Sequence, residues 1–293
     1  MIGERGWSKT GWLLLFLLPG LGGLLIFTVI PILASFVLAF FSWDLLTPPE
    51  FVGLQNYVDL LGDKEFWAAL AHTLGYIAGY LPLVVVLGLG MALAMNSAMR
   101  GIGALRTLFF FPVVSSWVAV ALLWSWLFNP KYGLINYLLG LIGIPGPGWL
   151  YDAHWAMPAI ILTSVWKDLG FVLVLFLGGL QTIPTDYVEA ASLDGAGRWA
   201  QFRHITLPLL APTTFFVIII SLISSFQVFD QVWIMTEGGP AGATTVLVER
   251  IVRHAFSYGE MGYAAAISWV LFFLVFSATA IQFRLQRMGS FDV

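Results

Sequence analysis

The sequence predicts an all-α integral membrane protein with six transmembrane helices in one domain covering residues 1–293. Three observations predict it. Apolar residues make up 59% of the chain and charged residues 10%, against about 25% charged in an ordinary soluble domain, and the mean hydropathy is +0.89. Charge-free runs of the length needed to cross hydrocarbon, about 20 residues, recur along the chain. Between the fourth and fifth of them lies a polar, small-residue island, Glu189 to Pro212, that cannot sit in lipid.

The spans fall at about 11–41, 66–98, 105–128, 155–180, 207–235 and 263–283. Each should be helical, because in lipid every backbone polar group must be satisfied within its own segment. Arg5 and Lys9 ahead of the first run imitate a signal peptide. The uncharged stretch from Thr10 to Trp43 is far longer than a signal's apolar region, and no small-residue cleavage site closes it early, so it reads as a retained first span. In the second span Ala71, Gly75 and Gly79 put a small residue at every fourth position, a pattern that permits close helix approach. The run Tyr132 to Tyr151 is also uncharged, but Ile144-Pro-Gly-Pro-Gly-Trp149 breaks it. It reads as a short surface helix followed by a turn rather than as a seventh span.

Lys and Arg set the orientation. With six spans, Arg5, Lys9, Arg100, Arg106, Arg198, Arg203, Arg284 and Arg287 share one side, and Lys64, Lys131, Arg250 and Arg253 the other. Both termini and the island are therefore expected in the cytoplasm. The outer segments carry Asp44, Glu50, Asp59, Asp63, Glu65, Asp152, Glu237, Glu249 and Glu260, either as a solvated face or as a docking surface for a soluble partner.

Composition also excludes. The net charge of −3 gives no sign of nucleic-acid binding, and the absence of cysteine removes disulfides and thiolate metal sites. No glycine precedes any of the four lysines, so there is no phosphate-binding loop of the Gly-Lys type. His72, His154, His204 and His254 lack metal-ligand spacing, and no catalytic cluster appears. No catalytic residue, metal ligand or cofactor is expected in this chain.

The island has a physical reading of its own. Pro184 ends the fourth span or opens the next helix. Asp186 can cap that helix, with Glu189 three residues on to close a capping box. Ala190 and Ala191 give a low-relief surface, and Gly195 can end the helix in a left-handed turn. Arg198 to Phe202 form a second short helix with Trp199 and Phe202 on its apolar side, and Pro208 suits the first turn of the fifth span. The result is a helix–turn–helix over residues 184–208.

Glu189-Ala-Ala-x-x-Asp-Gly195-Ala196, followed by Phe202, Ile205, Leu207-Pro208 and Pro212, closely resembles the coupling loop of binding-protein-dependent ABC importer permeases. Leu180-Gln-x-Ile-Pro184, Thr236-Glu-Gly-Gly-Pro240, Ala255-Phe256, Gly262-Tyr263-Ala264-Ala265-Ala266, Gly53-Leu-x-Asn56-Tyr57 and Phe66-Trp67 resemble the sugar-type branch of that family, and within it the maltose and glycerol-phosphate "first" subunits. The resemblance implies a type I ABC importer permease core, with coupling helices between spans four and five. It implies residence in a bacterial-type inner membrane. The implied partners are a second homologous permease subunit, two ATP-binding cassette subunits that carry ATP and Mg, and an extracytoplasmic solute-binding protein. Glu189, Ala190, Ala191, Asp194, Gly195, Ala196, Leu207 and Pro208 would serve the ATPase contact, Glu189 and Gly195 centrally. The cargo would be a sugar, an oligosaccharide or a related polyol derivative.

Polar groups inside spans usually face a cavity or a partner. Trp166, Lys167 and Asp168 in the fourth span, and Ser224, Ser225, Gln227 and Asp230 in the fifth, are the candidate pathway residues; at helical spacing Ser224, Gln227 and Asp230 or Gln231 share a face. Lys167 and Asp168 can instead neutralise each other, and Trp124 and Trp126 can be either stacking partners for a sugar ring or an interfacial belt. The competing function is a secondary transporter driven by an ion gradient, against which the scarcity of intramembrane acids counts.

Overall fold

The computed structural model describes residues 6–96 and 101–289. Arg5 and Arg100, used above for orientation, and residues 97–98 at the expected end of the second span lie outside them. For Lys9 and Arg287 only the backbone is described.

Helices in chain order are α1 (Gly6–Leu24), α2 (Ile30–Leu38), α3 (Gln55–Gly62), α4 (Lys64–Met95), α5 (Ile102–Val114), α6 (Trp117–Leu127), α7 (Leu134–Leu141), α8 (Ala156–Gln181), α9 (Thr185–Leu193), α10 (Arg198–Gln201), α11 (Leu207–Leu209), α12 (Ala211–Phe226), α13 (Asp230–Met235), α14 (Leu247–Val252) and α15 (Met261–Gly289). A two-residue antiparallel ribbon, β1 (Phe41–Ser42) with β2 (Glu50–Phe51), pairs Phe41 with Phe51. Among the described residues, four helical stretches are long and apolar enough to cross a membrane: Gly11–Leu38, Lys64–Met95, Ala156–Gln181 and Met261–Gln286. Two bent pairs bring the number to six if each is one span.

The bent pairs modify two expected spans. The third is not one rod: α5 and α6 meet at 100°. Ser115 and Ser116 are both extended there, with ψ of 145° and 139°, and a serine pair is a common site of helix interruption. The fifth span starts later than expected, after a 65° bend between the helical run Arg198–Leu209 and α12. Pro208 lies inside the first of these. Lacking an N–H, it cannot bond the carbonyl four residues back, and Phe202–Thr206 relaxes into a wide π turn. Leu25–Val29, ahead of Pro31, does the same in the first span. The fifth span is also interrupted at its far end, where Gln227, Val228 and Phe229 separate α12 from α13. The expected short helix after Tyr132 is α7, only eight residues long.

Contacts divide the chain into two units, Met1–Asp63 with Ile251–Val270, and Lys64–Arg250 with Leu271–Val293. In the first, Asn56 is buried and its amide donates to the carbonyls of Ala39 and Phe41 at 2.9 and 3.0 Å. Gly262 has the Phe41 carbonyl where a Cβ would stand. Tyr263 donates to Asp63 at 2.7 Å, His254 pairs with Glu260 at 2.6 Å, and Phe36 meets Trp269 edge-on at 4.8 Å.

The second unit is organised around α8. Of the expected stripe on α4, Ala71 and Gly75 are exposed, and only Gly79 meets α8, facing Ile161. Gly88, further along α4 and off that stripe, faces Val172. On the other side of α8, a Cβ at Gly170 would run into the Phe109 carbonyl of α5. Glycine therefore sets both helix approaches by removing a side chain at each crossing. Thr236–Thr245 folds as a compact loop in which the Thr244 hydroxyl donates to the Gly239 carbonyl at 2.6 Å and pairs with the Thr236 hydroxyl at 2.8 Å. Beyond it Leu247 N–H bonds the Thr73 hydroxyl at 3.1 Å, and Arg250 pairs with Glu65 at 2.6 Å. The acids assigned to the outer segments are thus not uniformly solvated, and Glu249 is 0% exposed.

Candidate functional site

Two sites stand out, both within the second unit. The first is a cavity of about 300 Å³ built where two spans are interrupted. Tyr76 and Tyr80 of α4 line it, as do Val113 and Trp117 on either side of the α5–α6 break. From α8 come Lys167 and Asp168, and from the α12–α13 break come Ser224, Ser225, Gln227, Asp230 and Gln231.

Its walls are tied by polar contacts. Tyr80 donates to Asp168 at 2.8 Å. The Gln231 amide reaches the Tyr76 hydroxyl at 3.3 Å and the Ser164 hydroxyl at 3.2 Å. Tyr76 and Tyr80, one turn apart, stack with centroids 5.4 Å apart and planes 8° from parallel. Lys167 and Asp168 do not turn to each other: Lys167 donates to the Val113 carbonyl at 3.2 Å, while Asp168 takes the Tyr80 hydroxyl. Such a cavity offers hydrogen-bond donors, acceptors and flat apolar rings within one space, the chemistry that a polyhydroxylated ring needs.

Six of the seven expected pathway residues line this cavity: Lys167, Asp168, Ser224, Ser225, Gln227 and Asp230. They do so by a route different from the one anticipated. Ser224, Gln227 and Asp230 do not share a helix face, because α12 ends at Phe226; the break itself brings them together. Trp166 lies elsewhere, edge-on to Trp124 at 5.4 Å in an aromatic run that continues through Phe128, Trp149 and Trp155. Sequence reasoning did not single out Tyr76, Tyr80 or Trp117. The signal available was a Tyr-x-x-x-Tyr pair within a charge-free run.

The second site is the Pro184–Pro208 loop. Helix α9 is not opened by the expected capping box. Pro184 occupies the cap position and no side chain caps it, so Asp186 lies inside the first turn, where a carboxylate favours the helix dipole instead. The far end is as expected. Gly195 has φ +82°, its N–H bonds Ser192 O at 3.1 Å, and Ala196 N–H bonds Ala191 O at 2.9 Å. This pair of bonds is a Schellman turn. Arg198–Gln201 is helical, and Trp199 and Phe202 sit ring to ring at 5.5 Å. Gln201 then clips the two helices together, donating to the Ser192 hydroxyl and to the Ala196 carbonyl, each at 2.9 Å.

Glu189, Ala190, Asp194 and Gly195 are exposed, Ala191 and Ala196 half-buried, and Leu207 and Pro208 lie in α11, both exposed. Leu193 at the end of α9 is 91% exposed and Trp199 70%. A tightly hydrogen-bonded turn thus presents an apolar tip that is left uncovered among the described residues.

Residues 84–288 match the family described as the inner-membrane component of binding-protein-dependent transport systems. The chain is 39% identical over 92% of its length to a probable ABC transporter permease protein, YesP, of Bacillus subtilis, covering 88% of that protein. It is 36% identical over 96% of its length to the trehalose/maltose transport system permease protein MalF of Thermococcus litoralis, covering 94% of it. Among solved structures, a chain of a bacterial ABC transporter that imports the acidic polysaccharide alginate superposes with a TM-score of 0.86 at 26% identity, covering 98% of this chain and 100% of that one.

Proposed function

Because the chain belongs to the inner-membrane components of binding-protein-dependent transport systems, a family of multi-pass ABC importer permeases, we propose that it is the "first" permease subunit of an importer for a sugar, oligosaccharide or related polyol derivative. The observation that carries the cargo class is the cavity at the two helix breaks, where stacked tyrosines, hydroxyls and carboxylates face one space. The names of relatives point the same way: one is a trehalose/maltose permease and another, 34% identical over 97% of this chain, a lactose permease from Rhizobium radiobacter.

In this reading the chain is one permease domain and encloses half of the pathway. A second homologous permease encloses the rest. Both termini and the Pro184–Pro208 loop face the cytoplasm, in keeping with the Lys and Arg count. The exposed tip around Leu193 and the Gly195 turn sits in a cleft of an ATP-binding cassette subunit, two of which hold ATP and Mg. A solute-binding protein delivers cargo from the other side; the alginate transporter is known in complex with a periplasmic protein carrying an alginate pentasaccharide. Closure of the ATPases moves the loops, and the spans follow between discrete states.

The test begins with a tagged chain drawn from native membranes in mild detergent. A second permease and an ATPase should co-purify, and a cysteine at Ser192 should cross-link to one in the ATPase cleft. Reconstituted vesicles should take up radiolabelled maltose, trehalose or lactose only with ATP. A chain that purifies alone, with uptake that ignores ATP and collapses with the ion gradient, would put secondary transport in its place.

A further inference from the structure

A broken span leaves peptide groups without helical partners, and in hydrocarbon each must find another. At the α5–α6 break the last carbonyls of α5 are met one at a time. Ser115 N–H bonds Pro112 O at 3.2 Å, and the Ser115 hydroxyl donates to Phe111 O at 3.3 Å. Val113 O is met from another helix, by the ammonium of Lys167 at 3.2 Å.

The lysine also crosses the break. Its ammonium lies 4.8 Å from the ring centroid of Trp117, the first residue of α6. One side chain therefore holds both arms of the 100° bend. Gly170 permits this. Without a Cβ it lets the α5 main chain at Phe109 and Phe110 close on α8, one turn from Lys167. The pairing of 170 with 109 and of 167 with 113 is the register of antiparallel neighbours.

Burying an ammonium is expensive unless it is well partnered, and Lys167 is only 5% exposed. Its two partners belong to the two arms, and all three residues line the cavity. Resting on the reading of that cavity as the cargo site, we infer that Trp117 is a ring-stacking wall of the site and that Lys167 is its positioning residue. Lysine and tryptophan then act as one unit. The ammonium fixes one face of the indole and the angle of α6, and the ring so held meets the apolar face of a sugar.

The complex reconstituted in vesicles provides the test, using whichever of maltose, trehalose and lactose the wild type takes up. Trp117→Ala should raise KM about tenfold with kcat within about twofold, a loss of the size one aromatic contact supplies. Lys167→Met should raise KM by the same factor, and the double substitution should be no worse than either single one. Lys167→Arg keeps a cation that can cap the carbonyl and lie on the ring, so it should restore most of the wild-type KM. Co-purification of the partner subunits shows that each variant assembles.

KM effects that multiply in the double variant would overturn the pairing. So would a Lys167→Met transporter that loses kcat at unchanged KM, which is the mark of a purely structural lysine. Tyr80→Phe and Ser224→Ala separate the two layers of the argument. If they raise KM while Trp117→Ala does not, the assignment of Trp117 fails and the cargo site stands. If all four singly substituted positions leave KM at wild type, the cargo site and the inference fall together.

Discussion

Gly195 and Gly197 offer a matched pair of substitutions that isolates one physical variable. Neither has any atom within 4 Å of where a Cβ would be placed. They differ in backbone: Gly195 stands at φ +82°, whereas Gly197 stands at φ −69° with an extended ψ. An alanine at 195 therefore meets no steric neighbour and carries only the left-handed penalty, about 1–2 kcal/mol. That is roughly a 5- to 30-fold lower preference for this turn over its alternatives. The turn holds the bonds from Gly195 N–H to Ser192 O and from Ala196 N–H to Ala191 O, and the Gln201 clip depends on it. Alanine at 197 carries no left-handed penalty, and a Gly-to-Ala change at a compatible backbone stabilises by about 0.4–1 kcal/mol through the unfolded chain, leaving the turn's bonds in place. Hydrogen exchange of the 192–201 amides and the ratio of sugar imported to ATP hydrolysed are the two readouts. Gly195→Ala should speed that exchange and lower that ratio, Gly195→Asn should recover part because asparagine tolerates the left-handed region, and Gly197→Ala should show neither change. Equal behaviour of the two alanine variants would refute the claim that the turn's handedness matters to coupling.

Glu189→Lys should leave the protein inserted and assembled, while ATP hydrolysis by the complex continues without import; wild-type uptake would remove Glu189 from the proposed coupling surface. Gly170→Ala places a methyl against the Phe109 carbonyl and should destabilise the complex by about 1–3 kcal/mol, read as a lower Tm. Gly75→Ala, with nothing within 4 Å, should not lower it, and a larger loss at 75 than at 170 would contradict the crossing described for α5 and α8. Bonds from the Thr47 N–H, the Thr47 hydroxyl and the Leu46 N–H hold the Asp44 carboxyl below its ordinary value of 3.8. A depressed folded pKa stabilises above the unfolded value and is lost as pH falls through the folded one. Protection of the Thr47 amide should therefore be flat down to about pH 4 and fall below it, and Asp44→Asn should abolish that dependence; protection unchanged at low pH would count against the turn.

What was legible in the sequence was what local chemistry or solvent dictates. Hydropathy located the spans because lipid admits no other arrangement of such runs. The Gly195 turn was readable because a helix end followed by Gly-Ala uses bonds within six residues. The helix breaks were not readable, since a hydropathy run counts side chains and not dihedrals, and the polar Ser115-Ser116 and Gln227 are outweighed by the apolar residues around them. Lys167 and Asp168 were marked as expensive groups in a span, which is right, but their partners sit 54 and 88 residues away and no local rule supplies them. The capping box failed for a related reason. Pro184 takes the cap position with φ −59° and ψ 134°, which shifts Asp186 into the helix and leaves Glu189 nothing to close.

The glycine crossings also constrain movement. Gly79 and Gly88 seat α4 against α8 through Ile161 and Val172, and Gly170 seats α5 on its other side. Surfaces this close cannot slide past one another without first separating, so α4, α5 and α8 have few independent degrees of freedom. A large displacement within this unit is taken up most readily where the backbone is already interrupted, at Ser115–Ser116, at Gln227–Phe229 and at the 65° bend ahead of α12. The first two open on the same cavity, one through its neighbours Val113 and Trp117 and the other through Gln227, Val228 and Phe229 themselves. On the proposed reading of that cavity as the cargo site, Gln227, Val228 and Phe229 are at once joint and wall, so a substitution there that retunes what is carried will also retune how far that joint turns.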